Sequence, residues 1–267
     1  MDIKVLLVGD VVGKPGRQAL TSVLPSLLEQ QDIDFVIANG ENAAKGSGIN
    51  ERLFWELISA GVNVVTLGDH VWKRKEVLPL LEKRMNLLRP ANLPEVCPGA
   101  GSCILPSKRG PAVGVVTLLG RIFMGLSDCP FQKVDKEVEK LKKETPIVFV
   151  EIHGEASSEK VAMGWKLTGK VSCVFGTHTH VQTADERVLP GGTAYITDLG
   201  MTGPHESVIG RDIQSVLYRF ETQMHVPFVV ATGDVRVCGA IVTVDADTGR
   251  ARSIERLCIP VPSASGN

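Results

Sequence analysis

The sequence predicts an α/β domain, and three observations carry that expectation. Apolar runs of strand length occur at residues 3–9, 35–38, 62–67, 112–119, 146–152 and 171–175, separated by segments with helical periodicity. Most of these runs end in a small residue, a carboxylate, an amide or a histidine, the arrangement by which α/β sheets build sites beyond strand ends. The 267 residues suffice for one large core. A single domain over residues 1–262 is expected, with a loop-rich excursion around residues 88–110 and a frayed tail at 263–267.

The first run, IKVLLVG, ends at Asp10. A glycine- and proline-containing loop follows, then a helical stripe of Leu20, Val23, Leu24, Leu27 and Leu28 in which Pro25 should kink or interrupt the helix. Asp10 equally suits capping a helix or a turn. The second run leads into Asn39-Gly40-Glu41-Asn42, and Asn50 is placed to cap a helix carrying Leu53, Phe54, Leu57 and Ile58. The third ends in Gly68-Asp69-His70. Residues 73–83 read as a helix and 88–108 as irregular chain. Val134, Val138 and Leu141 stripe a charged helix with a solvated face. The run from Pro146 finishes at His153, after which Ser157 and Ser158 are placed to cap a helix. Residues 193–197, 226–232, 235–244 and 251–259 read as strands, the last two joined by a turn at 245–249.

The stretch that organises the chain is VFGTHTH, residues 174–180. Gly176 is expected to permit a turn, and His178 and His180, at alternate positions of extended chain, to share a face. Two adjacent imidazoles suit metal chelation, although an isolated H-x-H is also common as a surface pair. His205 and His225 match no ligand pattern and read as structural or surface residues, Trp72 and Trp165 as packing residues. Asp198 reads as a turn residue, with a substrate-loop role second. The strand-end groups together, Asp10, Glu41, Asn42, Asp69, His70, His153, His178 and His180, are carboxylates, an amide and imidazoles without a thiolate, a set that suits iron, manganese or zinc.

Bulk composition excludes some classes. Hydrophobic residues make up 43% and charged residues 22% of the chain, and the net charge is −1. With aromatics at 5%, neither an electrostatic footprint nor stacking platforms for extended nucleic acid are advertised. The six cysteines are scattered without a C-x-x-C pair and read as free, mostly buried thiols. No signal peptide or membrane-length apolar run is read. A cytoplasmic protein with no membrane partner is expected.

The blocks GDVVGKPGR, NGENAAKGSG, LGDHVW, RPAN, EIHGEASSEK, GTHTHVQTAD and GTAYITDLGMTGP, in this order, make the chain resemble the calcineurin-type metallophosphoesterases, most closely their YmdB-like branch. The resemblance implies a β-sandwich flanked by helices, in α/β/β/α layers, holding two divalent metal ions, with iron or manganese favoured and zinc also compatible. It implies that Asp10 and His180 hold one metal, Glu41 bridges the pair, and Asp69, His153 and His178 hold the other. Asn42 would orient the bridging group or touch phosphate, His70 would serve as general acid or phosphate-orienting group, and a metal-bridging hydroxide would be the nucleophile. Two departures from the wider superfamily stand out. Asp10 is followed by Val11-Val12 rather than completing D-x-H, which leaves the first metal one imidazole short. Asp69 replaces the asparagine of G-N-H, adding negative charge at the metals.

The resemblance implies a phosphodiesterase acting on small phosphodiesters, with 2′,3′- and 3′,5′-cyclic AMP as expected substrates. The alternatives are a phosphomonoesterase, a nuclease on short RNA, or a regulatory protein that binds a partner in RNA turnover and does not depend on catalysis. A homo-oligomer is expected from the same resemblance.

Overall fold

The computed structural model describes residues 1–262, so the expectation of a frayed tail at 263–267 lies outside the described residues. Strand β1 (Asp2–Val8) alternates its side chains between two cores: Ile3, Val5 and Leu7 point one way, Leu6 and Val8 the other. Both faces of this strand are therefore covered, which explains its continuous apolar run. The two-residue β2 (Asp10–Val11) then leads into helix α1 (Gly13–Gln30). Pro25 sits inside α1, which continues past it to Gln30, so of the two outcomes expected the interruption does not occur. The proline lies on the exposed side, where water can take the carbonyl that its missing N–H leaves free.

β3 (Phe35–Asn39), α2 (Glu51–Ala60), β4 (Val64–Thr66), α3 (Leu78–Lys83) and β5 (Leu87–Leu88) continue the strand–helix alternation. Asn50 caps α2 by accepting a hydrogen bond from the Leu53 amide at 3.1 Å. The helix expected over 73–83 is shorter: residues 75–77 form a 3₁₀ turn before α3. The excursion at 88–108 is not wholly irregular, because β6 (Ser102–Pro106) pairs antiparallel with β7 (Ala112–Leu119). α4 (Pro130–Leu141) buries Val134, Val138 and Leu141 as its stripe predicts. β8 (Val148–His153), α5 (Ser157–Lys166) and β9 (Cys173–Thr177) follow. α5 begins without a side-chain cap, so neither Ser157 nor Ser158 plays that part.

β10 (Arg187–Leu189), β11 (Thr193–Ile196), β12 (Met201–Glu206), α6 (Ile213–Thr222), β13 (Gly233–Asp245) and β14 (Ala251–Pro260) complete the chain. β12 and α6 were not anticipated. The strand expected at 226–232 does not form: this stretch is extended but makes only an isolated bridge at Val230, and Pro227 has no N–H to offer a ladder.

Two sheets result. The first has the order β2-β12-β13-β1-β3-β4-β5, with β14 added on β13. The second has the order β10-β11-β9-β8-β7-β6. They pack face to face through Ile3, Val5, Leu7, Phe35 and Ile37 against Val115, Phe149, Cys173 and Phe175. α1 and α2 cover the outer face of the first sheet through Leu20, Leu24, Phe54 and Leu57, while α4 and α5 cover the second through Val134, Val138 and Met163. The layers are thus α/β/β/α, as the resemblance implied. The carboxyl ends of β1, β3, β4, β8 and β9, all parallel within their sheets, open at one rim.

Candidate metal centre

The strand-end residues converge at that rim. Asp10 and His153 are fully buried, and Glu41 and Asn42 nearly so. Glu41, Asp69, His153 and His178 each present a ligand-type atom within 4.8 Å of the others. The Nε2 atom of His153 lies 3.2 Å from Glu41 Oε1 and 3.1 Å from Asp69 Oδ1. Nδ1 of His178 lies 3.0 Å from that same Nε2 and 3.3 Å from Asp69 Oδ1. Asp10 and His180 form an adjoining pair, with Nε2 and Oδ1 3.7 Å apart. Asn42 stands between the two groups: its Nδ2 lies 3.2 Å from His180 Nε2 and 3.3 Å from Glu41 Oε1.

The hydrogen bonds fix which ring nitrogens face inward. Thr177 Oγ1 donates to Glu151 Oε1 at 2.7 Å and so accepts from His153 Nδ1 at 2.9 Å, leaving the lone pair of Nε2 aimed at the carboxylates. His180 donates through Nδ1 to the Ile209 carbonyl at 2.9 Å, which again leaves Nε2 inward. His178 turns Nε2 toward Glu155, 3.3 Å away, and presents Nδ1. His70 donates Nδ1–H to Asn42 Oδ1 at 2.8 Å, which leaves its Nε2 free of a hydrogen bond, 3.7 Å from Asp69 Oδ2. Neutral imidazole lone pairs and carboxylates are what a divalent cation takes as ligands.

Backbone geometry departs from the expectation for 178–180. β9 ends at Thr177, and His178 and His180 adopt φ of 98° and 64°, so they do not share a face of extended chain. Left-handed backbone is costly for side-chain-bearing residues and must be held from outside. Asp10 Oδ2 accepts from the His178 amide at 3.1 Å, and Asp198 Oδ2 accepts from the Thr179 amide and hydroxyl at 3.2 and 2.8 Å. Asp198 is itself buried against Lys160 Nζ at 2.7 Å. Gly176 is not a turn residue either. It lies in β9, where a Cβ would stand 1.8 Å from the Thr197 carbonyl oxygen.

Charge distribution follows from burial. Burial, helped by Glu41 and Asp198, pushes the Asp10 carboxyl up to about 7 against the opposing pull of His153. Burial would also raise Glu41 and Asp69, but His153 outweighs it, with His70 helping at both and His178 at Asp69, and holds both below the usual carboxylate range. Conversely, burial alone would lower His153, yet Glu41, Asp69 and Asp10 hold it well above its ordinary value. His70 and His180 are lowered, chiefly by burial. With His153 Nδ1 held by Thr177, the extra proton of the metal-free ring sits on Nε2 between Glu41 and Asp69, and a cation bound there would take its place and leave the lone pair as ligand. Oδ1 of Asp10 is buried without a hydrogen-bond partner, an atom shaped for a cation. The donor set fits a divalent metal ion.

Residues missed in the sequence do the holding: Asn39, Glu151 and Thr177 around His153, and Lys160 behind the histidine loop, where it pairs with Asp198, a residue expected only to form a turn or touch substrate. Lys160 lies in the block EIHGEASSEK, but a lone lysine on a helix carries no sign of its partner. Trp72 and Trp165, expected to pack, are 39% and 54% exposed. His205 and His225 stand apart from the cluster, His205 against the Met201 carbonyl at 3.1 Å. Of the six cysteines, three are buried and Cys258 is exposed.

Comparison with known proteins places this arrangement. The family model described as YmdB-like protein matches residues 6–257. The chain is 44% identical over 257 residues to a 2′,3′-cyclic-nucleotide 2′-phosphodiesterase of Bacillus subtilis, covering 96% of this chain and 97% of that protein. It is 34% identical to a putative phosphatase/phosphodiesterase of Mycoplasma genitalium, covering 97% and 93%. Among solved structures, a hypothetical protein from Thermus thermophilus superposes with a TM-score of 0.90 at 41% identity, covering 97% of this chain and all of that one. A phosphatase from Mycoplasma pneumoniae superposes at 0.91 with 33% identity, covering 97% and 94%. With match, fold and rim in agreement over nearly the whole length, the chain belongs to the YmdB-like family.

Proposed function

We propose that this hydrolase of the YmdB-like family cleaves small phosphodiesters, cyclic nucleotides such as 2′,3′- or 3′,5′-cyclic AMP among them, using divalent metal at the rim site. The observation that carries the reading is the convergence of Asp10, Glu41, Asp69, His153, His178 and His180, with inward lone pairs, beside an unpartnered Asp10 oxygen. The names of the relatives support the phosphodiester class.

Bound divalent ions would polarise the phosphoryl group and activate water. Asp10 and His180 would hold one ion and Asp69, His153 and His178 the other, with Glu41 shared between them. Iron or manganese suits this oxygen and nitrogen set. The chain's own residues then divide the remaining work. Asn42 orients His70 through its Oδ1 and points its Nδ2 between Glu41 and His180. His70, with Nδ1 anchored, Nε2 unbonded and the side chain part-exposed, would pass a proton to a leaving alkoxide. Glu41 and Asp69, whose Oδ2 lies 3.7 Å from that Nε2, favour the protonated ring against the burial that lowers it, a service the superfamily's asparagine would perform more weakly than Asp69.

Further features support narrower assignments. α6 exposes Leu217, Tyr218 and Phe220, and the stretch after it exposes Phe228 and Val229, which favours a homo-oligomer built through this face. No helix among the described residues is long and apolar enough to cross a membrane. Six free cysteines agree with a reducing, cytoplasmic setting.

The test is hydrolysis of bis-p-nitrophenyl phosphate by protein loaded with Mn²⁺ or Fe²⁺, beside Asp10→Ala and His180→Ala. Metal-dependent turnover that collapses in both variants is expected, with cyclic nucleotides assayed next and p-nitrophenyl phosphate as the monoester control. No turnover by folded, metal-replete protein would overturn the reading and leave the partner-binding role in RNA turnover as the better account.

A further inference from the structure

Cys238 on β13 and Cys258 on β14 are opposed in register, and their sulfurs lie 3.5 Å apart. The backbone of Cys238 is turned away from β14. Its N–H donates to Thr202 Oγ1 at 3.2 Å, and its carbonyl accepts from the Gly9 amide at 2.9 Å. The pair therefore occupies a non-hydrogen-bonded position of the β13–β14 ladder, where opposed Cα atoms come to about 4.5 Å and side chains are closest. That separation lies within the range of about 4.4–6.8 Å that a disulfide spans. The register shift in this ladder falls at Thr243/Val244, remote from the pair. Gln182 clamps the neighbouring rung, donating to the Gly239 carbonyl at 3.1 Å and the Leu257 carbonyl at 2.9 Å.

The two thiols differ in access. Cys258 is exposed and Cys238 is buried. Both line a pocket of about 360 Å³ together with Arg236, His205 and His180. Burial pushes the Cys238 thiol well above its ordinary range, which leaves Cys258 as the attacking group. Cys103 and Cys173, by contrast, are buried inside the second sheet, where burial raises both and no path for an oxidant is evident.

We propose that Cys238 and Cys258 form a reversible dithiol–disulfide couple, a redox modification site on the wall of the pocket that also holds His180. The oxidant is a low-molecular-weight disulfide, R′S–SR′. The Cys258 thiolate attacks one of its sulfurs, forming Cys258–S–SR′ and releasing R′S⁻, which takes up a proton. Cys238 then loses its proton and attacks Cys258 Sγ, breaking the mixed disulfide and releasing the second R′SH. Two electrons and two protons pass from the dithiol to the oxidant, giving two R′SH. The sulfurs have only to close from contact to about 2.05 Å.

The test uses the full chain, freed of reductant and treated with oxidised glutathione. Remaining thiols are alkylated, and peptides are mapped by mass spectrometry without reduction. A Cys238–Cys258 crosslink, lost on adding dithiothreitol, is expected, with the other cysteines alkylated. Cys258→Ser, at an exposed position, should abolish the crosslink without loss of fold. Cys238→Ser should instead trap Cys258 as a persistent glutathione adduct. The proposal is overturned if wild-type Cys258 remains glutathionylated, if it links two chains, or if both cysteines are fully alkylated after treatment. This readout is independent of phosphodiesterase activity.

Discussion

The ammonium of Lys160 and a carboxylate oxygen of Asp198 meet at 2.7 Å, with both side chains 1% exposed. The same Lys160 nitrogen donates to the Thr177 carbonyl at 2.7 Å, and the same Asp198 oxygen receives Thr179. One buried ion pair thus braces the chain on both sides of His178. Removing one partner of such a pair strands the other charge and costs about 3–5 kcal/mol. Lys160→Met should lose stability of that order in denaturant melts. Metal-dependent activity should fall with it, although none of the proposed metal ligands has been touched. Lys160→Met combined with Asp198→Asn should be less damaged than the sum of the singles. A Lys160→Met protein with unchanged melt and turnover would show the brace to be idle.

Gly68 closes the site from the side of β4. A Cβ there would stand 2.2 Å from His153 Cδ2 and 2.5 Å from Glu41 Oε2. Neither can retreat easily, since the His153 ring is anchored to Thr177 and Glu41 to the His70 amide at 3.1 Å. Gly68→Ala should therefore fold, with a modest loss of stability, yet bind metal poorly and lose most turnover. Calorimetric titration with Mn²⁺ measures this directly. Wild-type affinity in the variant would mean that the cluster repacks freely.

Much of this arrangement was legible in the sequence. The strand-end positions of Asp10, Glu41, Asp69 and His153 followed from apolar runs that stop at polar residues, because both faces of those strands are buried. What stayed hidden depends on contacts between distant residues. The left-handed histidine loop looked like extended chain, since its conformation is imposed by Asp10 and Asp198 rather than by local preference. Gly176 looked like a turn because the close approach of the Thr197 carbonyl has no signature in a single strand. The expected strand at 226–232 failed for a related reason: its composition favours a ladder, but Pro227 has no N–H to offer and the neighbouring chain at 210–212 pairs with it only around Val230. Ser157 and Ser158 illustrate that a capping sequence need not cap: Ala156 takes the cap position and both serines fall inside the first turn.

The role of His70 is separable from that of the proposed metal ligands. Nδ1 of His70 is held by Asn42, its Nε2 carries no hydrogen bond, and its side chain is 26% exposed. A general acid matters most when the leaving group is a poor one, and general acid–base catalysis contributes about 10²–10⁴-fold. His70→Asn should thus lower kcat by that factor on alkyl phosphodiesters such as cyclic nucleotides. On p-nitrophenyl esters, whose leaving group needs no proton, the loss should be far smaller. Equal losses on both substrates would assign His70 to phosphate orientation instead.

The buried carboxyl of Asp10 predicts how stability depends on pH. In the folded chain it holds its proton from its ordinary 3.8 up to about 7, whereas the unfolded chain releases it early in that window. The folded state binds more protons there, so stability falls as pH rises, by at most on the order of 4 kcal/mol for this group. His153, held well above 6.5, adds to the decline above that pH. Glu41 and Asp69 act oppositely, being held low, but their contributions are lost only on acidification below about their ordinary values. Chelator-treated protein should therefore melt at a lower temperature at about pH 8 than at about pH 5. Added Mn²⁺ should reverse the trend, because it favours ionised Asp10 and neutral His153 and stabilises more as protons become scarce. Asp10→Asn should flatten the slope between about pH 4 and 7 and weaken the response to Mn²⁺. Thermal melts across this range, with chelator and with metal, decide the matter: a chelated protein that grows steadily more stable toward alkaline pH would refute the assignment of the buried proton to Asp10.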